Sequence, residues 1–171
     1  VNESVPTSGP SGPNPAIVKD MADLKDAQTV VEETFETSSE WAAAVAAIKQ
    51  AQSDYNDACG PVIDNLKTQP AYLAALDAQA KADANLQNMQ TTGSPDDISN
   101  AAQTLMSAKS NVKAMEAKAI ATDPSTVAAK QRLTAAFATM TQLKQKEQDA
   151  VEADPTWIAA KKALDAARAK N

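Results

Sequence analysis

Residues 153–171 read ADPTWIAAKKALDAARAKN, and residues 68–86 read TQPAYLAALDAQAKADANL. Each places a proline, an aromatic residue two positions on, and then a pair of alanines, ahead of a run that holds neither glycine nor proline. Proline suits the first position of a helix, where its missing N–H has no partner to lose. The residue before it is placed to cap the free N–H groups of the first turn. Both stretches therefore read as helix starts, and the same frame recurs along the chain.

Asn14-Pro15, Gln69-Pro70, Ser94-Pro95, Asp123-Pro124 and Asp154-Pro155 give five such starts. Gln69 is the poor cap among them. Thr37-Ser38-Ser39-Glu40 adds a sixth, read as a capping box without proline. Downstream of each start, apolar residues recur at alternating three- and four-residue spacing, the seam of helices packed at shallow angles. The first seam reads Ile17, Met21, Leu24, Gln28, Val31, Phe35, and the second Trp41, Val45, Ile48, Gln52, Tyr55, Cys59, Val62, Leu66. The third reads Tyr72, Ala75, Gln79, Ala82, Leu86, Met89, and the fourth Ile98, Ala101, Leu105, Ala108, Val112, Met115, Ala119. A looser fifth runs through Leu133, Phe137, Met140 and Leu143, and a short sixth through Trp157, Ala160, Leu164 and Ala167. No strand period competes, so the expected fold is all-α: an elongated array of about six long helices in coiled-coil-like antiparallel packing.

Pro61 follows Gly60 inside the second segment. Proline there deletes a ladder bond and clashes with the preceding turn, at a cost of about 3 kcal/mol. The seam nevertheless stays in phase across it, which predicts a kink, with a break as the alternative.

The starts at 38 and 69 are separated by the same interval as those at 123 and 154. Ala43-Ala44, Ala74-Ala75, Ala128-Ala129 and Ala159-Ala160 occupy equivalent places, preceded by Trp41, Tyr72, Thr126 and Trp157. Thr126 is the departure, since no aromatic plugs the seam there. The repeat predicts two tandem three-helix units, residues 14–93 and 94–171, or one continuous bundle. Residues 1–13, VNESVPTSGPSGP, read as a flexible tail.

Composition bounds the function. The chain is 43% hydrophobic but only 4% aromatic, because alanine supplies most of the apolar count and buries little area per residue. Its net charge of −6 disfavours nucleic acid and anionic membranes as partners. No apolar run approaches the ~18 residues of a spanning helix. A first residue other than methionine fits a mature exported chain, so a secreted, periplasmic or cell-surface setting is expected.

The sequence has no histidine and one cysteine, Cys59. That removes the commonest general base and metal ligand, and no nucleophile motif or phosphate loop takes their place. No cofactor, metal or enzymatic activity is expected. Asp20, Asp23 and Asp26 share one helical stripe, with Glu32, Glu33, Glu36 and Glu40 crowding the following turns. A straight helix cannot wrap six or more oxygens around calcium, so these read as a solvated acidic face. Residues 1–60 hold ten carboxylates against three lysines, whereas the last helix carries Lys161, Lys162, Arg168 and Lys170 against Asp165. Head-to-tail attraction between copies would use that asymmetry. Trp41, Tyr72, Trp157, Lys161, Lys162 and Arg168 are therefore the candidate interaction residues. The expected function is a non-enzymatic helical structural protein, secreted or surface-associated, that self-associates or acts as a spacer. The alternative is a helical binding module, such as a periplasmic adaptor or a chaperone-like hairpin, gripping another protein.

Overall fold

The computed structural model describes residue 12 and residues 14–170. Among the described residues the fold is six helices and no strand: α1 (Pro15–Glu36), α2 (Ser39–Leu66), α3 (Pro70–Thr92), α4 (Pro95–Thr122), α5 (Pro124–Ala153) and α6 (Pro155–Ala169). Gly12 apart, the tail expected over 1–13 lies outside the described residues.

Five of the six helices begin on a capping side chain. Asn14 Oδ1 accepts from the Ala16 N–H at 3.0 Å, and Asp154 Oδ1 from the Trp157 N–H at 2.9 Å. Asp123 Oδ1 takes two donors, the N–H groups of Ser125 and Thr126, at 2.9 and 3.1 Å. Gln69 forms no side-chain cap, consistent with its longer side chain. At α2 the cap is Ser38, whose Oγ accepts from the Trp41 N–H at 3.2 Å. Thr37 does not open α2 as the expected box required. It closes α1, donating both its N–H and its hydroxyl to the Glu33 carbonyl. The reciprocal box forms at α4, where Ser94 accepts from the Asp97 N–H and Asp97 accepts from the Ser94 N–H. Those bonds, the Ser94 hydroxyl first, hold the Asp97 carboxyl below its ordinary pKa.

α2 runs unbroken through Pro61, so the proline is absorbed within the helix. A Cβ added at Gly60 would meet nothing within 4 Å. The glycine therefore relieves no close approach beside the proline.

The helices pack in antiparallel pairs, α1 with α6, α2 with α5, and α3 with α4. The pairing is nested. First meets last, and each helix of the expected 14–93 unit takes its partner from 94–171. The chain divides into two compact units at different places: residues up to Ala46 together with Phe137 onward, and Ala47–Ala136. These bounds differ from the residues 14–93 and 94–171 expected from the repeat. Gly93 and Ser94 form a two-residue turn inside the α3·α4 hairpin, where the expected boundary fell.

The core of each unit is a thin seam. Among the described residues, seven of the fourteen buried apolar ones are alanines, so close backbone approach supplies much of the contact that large side chains supply elsewhere. In α3, α4 and α6 the expected seam residues are the ones that turn inward. In α2 and α5 most expected seam residues also turn inward, with Leu66 and Leu143 buried, and the departures are local: Ala44 and Ala51 are buried and Ala136 is half-buried in place of Val45, Gln52 and Phe137, and Val45 and Phe137 are 49% and 50% exposed. Met21 of α1 is likewise exposed, and Ala27 is the buried residue of that helix. Of each alanine pair only the second member faces in: Ala44, Ala75 and Ala129 are buried, Ala160 is half-buried, and their predecessors are exposed.

Candidate interaction surface

The first unit contains five of the six residues singled out from the sequence. In α6, Trp157, Lys161, Leu164 and Arg168 follow one another at spacings of four, three and four, which places them on one helical face. That face lies against Met21, Leu24, Lys25 and Gln28 of α1, and the two helices enclose a groove of about 310 Å³. Leu164 is buried and forms its floor, Trp157 is half-buried, and Lys161 and Arg168 are exposed along it. Lys161 Nζ pairs with Asp165 Oδ2 at 3.2 Å, with both side chains at least half exposed. Such a pair contributes at most about 0.5 kcal/mol. Lys162 lies outside the groove lining and is exposed.

The acidic and basic segments noted in the sequence therefore meet within one chain, because α1 packs on α6. Asp23 is taken by Lys19 at 2.6 Å in the same helix. Nearer the end of α1, Glu147 of α5 faces Glu32 and Glu36. Burial, then the charges of Glu32 and Glu36, raise the Glu147 carboxyl above its ordinary pKa, and Lys144 partly offsets them. Gln28 donates to Glu32 at 2.5 Å, bridging the groove residues to that acidic cluster. Trp41 is half-buried at the start of α2, its N–H capped by Ser38.

Tyr72 belongs to the second unit and is a core residue. It is 3% exposed and packs with Leu66, Ala75 and Val112, supported by Leu76, Met115 and Ala119. Its hydroxyl donates to Glu116 Oε1 at 2.5 Å. That bond, followed by burial and the Glu116 charge, raises the phenol pKa. Tyr72 therefore anchors α3 to α4 and is not available to a partner.

Two features of the second unit were not singled out from the sequence. Thr126, the position without an aromatic plug, is 1% exposed, and its hydroxyl donates to the carbonyls of Ile120 and Asp123. A hydroxyl thus ties the end of α4 to the start of α5, where the other starts use a ring. The capping position of Asp123 is the only local signal of this. The second feature is Lys130, whose Nζ sits 5.8 Å from the centroid of the Tyr55 ring on α2. The contact contributes about 0.5–1 kcal/mol at a partly exposed site. Tyr55 is one turn from Cys59, which is half-buried. Burial, and then a hydrogen bond with the thiol, raise the Tyr55 pKa.

Large apolar side chains remain on the outside of both units. Val18, Met21, Val45, Phe137 and Ile158 are about half exposed in the first, and Leu73, Met106 and Val127 are exposed in the second. Each stands one residue after an inward-facing position, counting Asp20 before Met21. In an antiparallel pair, a step of one residue rotates both helices toward the same side of the seam. Val45 and Phe137 thus lie on one flank of the α2·α5 pair. No helix among the described residues is long and apolar enough to cross a membrane. Comparison with known protein families, with curated proteins and with solved structures found no match.

Proposed function

We propose that this chain is a non-enzymatic helical structural protein that associates with copies of itself through an apolar flank. The observation that carries the reading is the placement of Met21, Val45 and Phe137. Each is about half exposed and immediately follows an inward-facing position of its helix. Side chains of that size beside a seam made largely of alanine widen the apolar stripe beyond what one partner helix covers. The pairing of α1 with α6 brings the acidic and basic segments together inside the chain. Charge attraction between copies is weakened accordingly, and the apolar flank becomes the main contact.

Light scattering and sedimentation over a range of concentration test this, at low salt and at 1 M salt. Exposed charge pairs are screened as the Debye length falls from about 10 Å to about 3 Å. Association through the flank persists at 1 M salt and is lost in Phe137→Lys and Val45→Lys. A chain that stays monomeric at high concentration in both salts defeats the proposal.

The second reading is a binding module, favoured by the groove of Trp157, Lys161 and Arg168 against α1. An aromatic wall with Lys25, Lys161 and Arg168 against one carboxylate, Asp165, suits an acidic segment of another protein. A partner captured through this groove is lost in Trp157→Ala while any self-association is unchanged.

A further inference from the structure

The second unit holds a groove of about 550 Å³ where the last turns of α4 and the first turns of α5 diverge beneath α2. Its apolar lining comes from Ala117, Ile120 and Ala121 of α4 and Val127 of α5. Val127 is 38% exposed, although it points into this concavity. At one side stand Lys130 and Tyr55, with the ammonium over the ring. Lys130 forms no ion pair among the described residues. Among the described residues no carboxylate lines the groove, although the chain carries 22 acidic residues against 16 basic ones. The Thr126 hydroxyl is committed to two backbone carbonyls, and Tyr55 and Gln131 add only neutral polar groups to the lining, so the ammonium is the charged group of the groove among the described residues.

We propose that this groove binds an amphipathic anion, a small molecule with an apolar body and a single carboxylate head, of the class of a medium-chain fatty acid. Volumes of 300–1,000 Å³ with mostly apolar walls and few polar groups are those of small-molecule sites. The alkyl body lies on Ile120, Ala121 and Val127, and the head meets Lys130. A neutral alcohol of the same length leaves the ammonium without a charge partner, and an alkylammonium is repelled by it. The charge on Lys130 therefore sets the preference, and the apolar walls set the chain length.

The test uses the full chain and three ten-carbon probes below their micellar concentrations: decanoate, decanol and decyltrimethylammonium. Calorimetry gives one saturable decanoate site per chain, with affinity about tenfold or more above that for decyltrimethylammonium, which is about 1.4 kcal/mol. Amide resonance shifts on decanoate addition cluster at residues 117–131. Lys130→Gln removes the head-group preference and leaves helicity by circular dichroism unchanged. Val127→Asp abolishes decanoate binding. Absence of a saturable decanoate site overturns the proposal. So does unchanged affinity in Lys130→Gln, or a shift pattern centred outside 117–131.

Discussion

Thr126 donates its hydroxyl to the Ile120 and Asp123 carbonyls, closing the end of α4 onto the first turn of α5. Valine has nearly the same shape and no donor, so Thr126→Val removes the donor to the Ile120 carbonyl, which Pro124 cannot supply, whereas the Asp123 carbonyl keeps the Val127 N–H. The expected cost is about 1–3 kcal/mol, read as a lower urea midpoint with an unchanged slope, and Thr126→Ser costs less. Glu147 behaves in the opposite sense. Its carboxyl is raised by burial and by Glu32 and Glu36. A carboxyl raised in the folded state contributes stability below its unfolded pKa of about 4.3. That contribution is lost as pH rises through the folded pKa. At neutral pH the charged Glu147 therefore opposes packing in the first unit. Glu147→Gln raises the melting temperature at pH 7, and the difference closes below about pH 4. A Tm difference independent of pH is inconsistent with this origin.

At the scale of the element, two glycines with negative or unremarkable φ differ only in what surrounds them. Gly60 sits inside α2, and an added Cβ there meets nothing within 4 Å. Gly60→Ala gains the helix propensity difference and stabilises by about 0.5–1 kcal/mol. At Gly93, beyond the end of α3, a Cβ falls 2.8 Å from the Met89 carbonyl oxygen and 3.2 Å from the Asp97 Cβ. The turn donates the Gly93 N–H to that same carbonyl at 2.8 Å, so the backbone cannot retreat without breaking its own bond. Gly93→Ala costs about 1–3 kcal/mol as an overpacked site. Chemical denaturation of the two variants, expected to move in opposite directions, checks both. The cap of α4 is the third element-scale device. Ser94→Ala removes the acceptor for the Asp97 N–H and lowers stability by about 1 kcal/mol. The Asp97 carboxyl is depressed by the same box. Its contribution is therefore present above its unfolded pKa of about 3.9 and lost as pH falls through the folded value.

At the scale of the molecule, nested pairing is the property with the sharpest consequence. Lys25 and Asp165 lie far apart in the chain yet line one groove between α1 and α6. Packed helices are about 8–10 Å between axes. Spin labels at Lys25→Cys and Asp165→Cys, in a Cys59→Ser background, therefore give a narrow distribution near about 20 Å or less once linkers are included. Independent tandem bundles would place these sites in separate units, with longer and broader distances. The same pairing decides how charge is used. It sets α1, which carries many of the acidic residues, against the basic α6, while the ion pairs Lys19–Asp23 and Lys161–Asp165 each stay within their own helix.

The sequence by itself determined where the helices start, because caps and first-turn prolines act within three or four residues. It also determined the inward face of α3, α4 and α6, where large residues and alanines alternate without competition. In α2, by contrast, Ala44 and Val45 are adjacent, and the three-four rule accepts either. Only the facing helix chose, and a closely approaching backbone admits the smaller side chain. The face of Trp157, Lys161 and Arg168 was legible from its spacing, but the helix opposite it was not. Alanine seams resemble one another, so local pattern carries little information about which helix pairs with which. That choice rests on contacts distant in sequence, such as the Tyr72 hydroxyl on Glu116, 44 residues away, or Lys130 over Tyr55. Tertiary structure therefore decided the nested pairing of the helices, which the local repeat does not carry.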